Sequence, residues 1–180
     1  MAWTAPRTWT DGELVTAAIM NPHIRDNLLS LGPIQRLRKT ADQSVTSSTA
    51  LVDDTHLQFT IAANEVWSGQ LTLYTTGATA GDVKYAFNAP VGATGVWGSI
   101  SPSQSIASAT DSTRWEAFTA FGDATLAAPG TLTTPTVGVL YFYVENAGTA
   151  GTFKLRWAQL TSSGTATTLL KGSNLMAWRY

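Results

Sequence analysis

From residue 44 onward, large apolar residues recur at every second position, and this alternation restricts the chain more than any other feature. Leu57, Phe59 and Ile61 alternate with Gln58 and Thr60; Val83, Tyr85 and Phe87 repeat the pattern; Phe153, Leu155 and Trp157 alternate with Lys154 and Arg156. Trp67, Leu71 and Leu73 share one parity, with Gly69 among them. A period of two places alternate side chains on opposite faces of a strand, so these segments read as half-buried strands. Turn signals separate them: Asp53-Asp54, Ala63-Asn64, "TTGATAGD", "APVGATG", "APGTLTTP", "NAGTAG" and "SSGTA". About eight to ten short strands with no long helix between them exclude βαβ crossovers and predict a mainly β chain, an antiparallel sandwich.

Two late segments depart from simple alternation. In "VGVLYFYVE" (137–145), Val139, Tyr141 and Tyr143 occupy one face while Leu140, Phe142 and Val144 occupy the other. A strand that is apolar on both faces needs two covers, and a two-sheet sandwich supplies one. A loop, the N-terminal helical segment or a neighbouring copy must supply the second. In "NLMAWRY", Leu175 and Ala177 stand opposite Met176, Trp178 and Tyr180. These two strands are the expected surface for self-association.

The first 40 residues read differently. Thr10-Asp11-Gly12-Glu13 fits a capping box, and Asn21-Pro22 a second helix start. The second helix, "PHIRDNLLSL", is expected to stop at Gly32. Ile24, Leu28 and Leu31 form one narrow stripe. Helices this short are marginal alone, so the stripe must lie on the β domain, meet copies of itself, or dock into another protein. The polar stretch "RLRKTADQS" (36–44) sets a boundary, giving an anchor or oligomerisation segment over 1–40 and a β-sandwich over 41–180. Arg36, Arg38 and Lys39 are expected to form a solvated collar rather than an anion site.

Composition excludes several classes of function. A formal net charge of -1 offers nothing to nucleic acid or an anionic membrane. No stretch approaches the length of a membrane span, and "MAWTAPRTW" lacks the apolar core of a secretory signal. Charged residues make up only 13%, so much of the surface must be neutral and polar, as in proteins that pack into assemblies. With no Cys there is no thiol nucleophile, disulfide or thiolate metal site. His23 and His56 are the only histidines, and "DDTH" (53–56) is expected to be a turn rather than a metal loop. No nucleophile elbow, phosphate loop or HExxH is present. Glu116 and Glu145 are the candidates for a glycosidase pair, should distant strands bring them together. The expectation is a protein with neither catalytic residues nor a cofactor or metal. Trp97 and Trp115 lie near turns and are either core residues or stacking platforms for sugars. The segment 101–111, "SPSQSIASATD", is expected to be an exposed loop.

The N-terminal string resembles a signature of tailed-bacteriophage structural proteins, the minor tail, tail-fibre and head-fibre type. The matching positions are Trp9, Asp11, Gly12, Glu13, Thr16, Ala17, Asn21 and His23 to Asn27. Residues 36–67 and 155–179 resemble the β regions of the same proteins, more loosely. One departure is Pro22, where such proteins more often carry Thr or Gln; proline is tolerated in a first helical turn. The resemblance implies a virion protein with a jelly-roll sandwich like C1q/TNF-type heads, assembled as a homotrimer. It further implies that residues 1–35 attach it to other virion proteins, and that Trp9, Ile24, Leu28, Leu31, Tyr141, Tyr143 and Trp178 serve anchoring or self-association. Host-surface adsorption, capsid decoration and a free-standing carbohydrate-binding module are the functional alternatives the sequence leaves open.

Overall fold

A computed structural model describes residues 4–30, 32–78, 80–102, 113–122, 125–127 and 134–180. Within them lie a short helical run and twelve strands in two antiparallel sheets. The strands are β1 (Ile34–Arg38), β2 (Gln43–Val45), β3 (Val52–Ile61), β4 (Val66–Thr76), β5 (Val83–Asn88) and β6 (Thr94–Pro102). They continue with β7 (Thr113–Phe118), β8 (Thr125–Ala127), β9 (Thr136–Glu145), β10 (Gly151–Ala158), β11 (Thr167–Leu169) and β12 (Asn174–Arg179).

The pairing follows one rule. β6 pairs with β7, β5 with β8, β4 with β9, β3 with β10, β2 with β11 and β1 with β12. Each strand therefore meets its mirror image about the β6–β7 connection, as if the chain were one long antiparallel ribbon. Rolling that ribbon joins β12 to β4, β9 to β6 and β10 to β5. The result is an eight-stranded sheet with the central order β1-β12-β4-β9-β6-β7, facing a four-stranded sheet β3-β10-β5-β8. Nested pairing distributed over two sheets is the jelly-roll arrangement.

The alternation read from the sequence sets which side chains turn inward. Leu57 and Ile61 of β3, Leu71 and Leu73 of β4, Leu140 and Val144 of β9, and Phe153, Leu155 and Trp157 of β10 are all sealed from solvent. Aromatic rings interlock between the sheets. Phe87 stacks on Phe153 at 4.9 Å and meets Trp97 edge-on at 5.2 Å, and Phe142 lies 4.7 Å from Phe153. Gly69 shares the inward parity of Trp67 and Leu71, and no larger residue fits there: a Cβ would lie 2.7 Å from the Phe142 ring and 2.4 Å from the Met176 carbonyl oxygen.

Three local expectations are corrected. The Thr10–Glu13 motif forms a turn, not a helix: the Glu13 N–H donates to the Thr10 carbonyl (3.1 Å) and the Glu13 carboxylate pairs with Arg7. The second start lies inside a continuous helical run, α1 (Ala17–Met20), a π segment (Asn21–Arg25) and α2 (Asp26–Ser30). Pro22 has no N–H to give to the preceding turn, and the wider π turn, in which the Asp26 N–H reaches the Asn21 carbonyl, accommodates it. Gly32 does adopt the left-handed conformation expected of a stop, at φ +71°. Leu31 lies outside the described residues, as does most of the expected 101–111 loop; Ser101 and Pro102 end β6.

The third correction concerns Lys39, expected in a solvated collar. Its side chain is fully buried and paired with the equally buried Asp54. Asp54 also accepts the N–H groups of His56 and Leu57, both at 2.8 Å, where β3 bulges opposite Lys154 and Arg156. "DDTH" is thus a strand irregularity built around a committed carboxylate, while Asp53 turns outward to Lys154 (2.6 Å) and Arg156 (3.1 Å). Glu65 plays a comparable part at the other end. Burial pushes its carboxyl up, but hydrogen bonds from Trp67 Nε1 (2.9 Å), the Ala62 N–H (2.9 Å) and Arg179 (2.5 Å) outweigh this and hold it below its usual 4.5.

Removing one member of a buried ion pair strands the other, at a cost of ~3–5 kcal/mol. Asp54→Ala is therefore expected to lower the urea midpoint by a corresponding amount. Glu65 has a depressed folded pKa, so its stabilisation is present above about pH 4.5 and is lost as pH falls through the lower folded value. The stability gap between wild type and Glu65→Gln, followed by urea titration from pH 7 to pH 3, should close on the acid side.

Candidate functional site: an N-terminal clasp and an uncovered sheet face

The helical run is tied to the residues that precede it through its own motif side chains. The Asn27 amide accepts the Thr4 N–H (2.8 Å) and donates to the Thr4 carbonyl (2.9 Å), as a neighbouring strand would. It also donates to the His23 carbonyl at 3.2 Å, and His23 Nδ1 lies 3.2 Å from the Ala5 carbonyl oxygen. His23 and Asn27 are four apart, hence on one helix face, and together they hold residues 4–5 as a strap. Trp9 lies over the Arg7 guanidinium, 5.1 Å from its centre, and Arg7 pairs with Glu13. The signature residues therefore make an internal clasp.

Apolar side chains of this segment remain open to solvent. Leu14, Val15, Met20, Ile24, Leu28 and Trp9 are exposed, Leu28 by 64%. Gly32 joins the segment to the sandwich: a Cβ there would lie 2.6 Å from the Arg179 carbonyl oxygen, and the Arg179 N–H donates to Pro33 at 3.3 Å.

A second uncovered surface is the outer face of the larger sheet. The register sets Ala117, Gly98, Tyr141, Gln70, Met176 and Arg36 in one line across six strands. The line on one side runs Trp115, Ile100, Val139, Thr72, Asn174, Arg38; the line on the other runs Val96, Tyr143, Ser68, Trp178, Ile34. Tyr141, Tyr143 and Trp178, expected at a self-association surface, thus share one face, with Tyr141 47% and Trp178 39% exposed. Tyr180 joins them: its phenol oxygen accepts from Ser68 (3.1 Å) and Trp178 Nε1 (3.4 Å), which lowers its pKa. Tyr143 donates to Glu145 at 2.5 Å, and that bond raises its pKa. Charge on the three lines is confined to Arg36 and Arg38 at the β1 edge.

The opposite surface is polar. Lys84, Lys154, Arg156, Asp53, Gln58 and Asn88 project outward from the smaller sheet. A cleft of about 390 Å³ lies at one end of the sandwich between Asn88–Thr94 and Thr119–Gly122, with Arg156 on its wall.

The two tryptophans separate. Of the two alternatives left open for it, Trp97 is the core residue: it is 2% exposed, stacks on Phe118 at 4.5 Å and donates Nε1–H to the Ala120 carbonyl (3.0 Å). Its place just after the turn "APVGATG" conceals an inward parity that it shares with Ser99. Trp115, 75% exposed on β7, stands on the outer face. Glu116 and Glu145 do not form a pair. Glu116 shares the inward parity of Ser99 and bonds Arg114 and Thr125, whereas Glu145 bonds Tyr143 on the outer face.

No protein-family model matches the chain, and no curated protein matches it. Among solved structures, a chain of the tripod (BppUct-A-L) from the baseplate of bacteriophage Tuc2009 is similar to it, at 13% identity and a TM-score of 0.32, covering 100% of this chain and 77% of that chain. At these values the likeness decides nothing about this chain.

Asn27→Ala removes both bonds to Thr4, each worth about 1 kcal/mol. Limited proteolysis should then cut within residues 4–16 several-fold faster, while the urea midpoint of the sandwich stays where it was.

Proposed function

We propose that this protein is a non-catalytic structural subunit of a tailed-phage virion, attached through its N-terminal segment and self-associated as a homotrimer. The carrying observation is the double exposure of apolar surface. The clasped segment turns Trp9, Leu14, Ile24 and Leu28 outward, and the larger sheet leaves its outer face bare. Isolated monomers seldom show apolar patches beyond a few hundred Å², and larger ones mark interaction sites. The resemblance of Trp9, Asp11–Glu13 and His23–Asn27 to the phage signature supports the virion setting.

On this reading the chain divides its labour between an attachment segment within residues 1–40 and a sandwich over 41–180, with β1 lent by the former to the sheet of the latter. The clasp presets the segment's shape, so that docking into a neighbouring virion protein loses less conformational freedom. The polar outer face of the smaller sheet and its end cleft then point away from the assembly, towards solvent and host-surface glycans. Tail-fibre, minor-tail and head-fibre positions all fit this arrangement.

Deletion should stop short of β1, because Ile34–Arg38 are part of the sheet. Removing residues 1–31 is expected to leave a folded sandwich by circular dichroism and to abolish incorporation into particles; undiminished incorporation would reject the attachment role. Light scattering on the full chain at micromolar concentration should give three times the monomer mass.

A further inference from the structure

We infer that the outer face of the larger sheet carries a socket, floored by Gly98 and Ala117, that receives an apolar side chain from a second copy of this chain. The inference rests on the self-association proposed above and names where its register is set. Gly98 and Ala117 stand directly opposite each other on β6 and β7, and Tyr141 stands opposite Gly98 on β9. Two minimal side chains beside a tyrosine leave a groove of about 310 Å³, walled by Val96, Tyr141 and Tyr143. The volume suits one large aromatic or branched side chain. Among the described residues, nothing charged lines it.

The occupant is a second copy for two reasons. First, apolar side chains flank the neutral polar row Ser68, Gln70 and Thr72 of β4, the groove on one side and Met176, Trp178 and Ile34 on the other, with Tyr180 bridging them, its ring 6.4 Å from that of Tyr143. Trp115, Tyr141, Trp178 and Tyr180 are 75, 47, 39 and 74% exposed. With about 150–250 Å² per aromatic ring they alone offer on the order of 400–500 Å². Ile34, Val96, Val137 and Met176 extend this towards the ~800 Å² that each partner buries in a stable interface. Secondly, the centre of the face is uncharged, which lets it meet another copy of itself without any matching of charges. A sugar chain would need far less area and more polar atoms on the walls.

The test is light scattering and sedimentation on the full chain carrying Ala117→Trp, which fills the socket from an exposed position, or Ala117→Lys, which puts a charge in it. Thr60→Trp, on the outer face of the smaller sheet, is the control. The inference expects self-association weakened roughly tenfold or more in both Ala117 variants, as for the loss of a well-packed pocket contact in an interface. Thr60→Trp should match wild type, and all variants should keep wild-type urea midpoints when compared as monomers at low concentration. A wild-type oligomer that survives both Ala117 variants overturns the socket and leaves self-association standing. A wild type that stays monomeric even at millimolar concentration overturns both. Loss of oligosaccharide binding in Ala117→Trp, from a monomeric wild type, assigns the groove to a sugar instead.

Discussion

Everything in this fold hangs on the mirror pairing of strands about the β6–β7 connection. Because β1 finds β12 and β3 finds β10, most ladder hydrogen bonds close loops of many tens of residues. Such contacts cost loop entropy before they return anything, so the stabilisation must come from the side chains that the rolled ribbon encloses. Aromatic rings among them tie the two sheets together. Phe87, Phe142 and Phe153 touch one another from three strands and two sheets, which makes the sheets' packing and the strands' pairing a single event. The placement of the features on both sheet faces follows from it.

How far the sequence discloses this depends on which physical effect dominates at each place. Alternation is governed by burial, and it is readable: Leu57, Phe59, Ile61, Phe153 and Leu155 all turn inward as their spacing requires, and β9 does carry apolar side chains on both faces. The order of the strands is not available from spacing, since pairing is a long-range property; the jelly roll enters through resemblance. Local rules fail where tertiary contacts override them. Lys39 resembles part of a polar run because its partner, Asp54, is fifteen residues away. Pro22 resembles a helix start because a π turn inside a helix leaves no composition signal. Trp97 follows a glycine-rich turn, yet its parity within β6 is the better guide.

The candidate surfaces are legible to different degrees. Ile24 and Leu28 stand out as a stripe, and Tyr141, Tyr143 and Trp178 as apolar residues with no obvious cover. That those three fall on one face with Val96, Ile100 and Trp115 needs the register. The work done by His23 and Asn27 is hidden for a different reason. They act on the backbone of Thr4 and Ala5, and a backbone partner leaves no trace in side-chain identity.

The junction between the two parts also determines how the molecule bears load. A force applied through the helical run enters the sandwich at Pro33 and falls first on the five paired positions of β1 and β12. Peeling that strand away would next have to drag the Lys39 ammonium out of a sealed site and away from the Asp54 carboxylate. Breaking the strand ladder is a sequence of small steps, whereas extracting a buried charge is one large one. The pair thus acts as a mechanical stop, placed one residue behind the strand that would yield first.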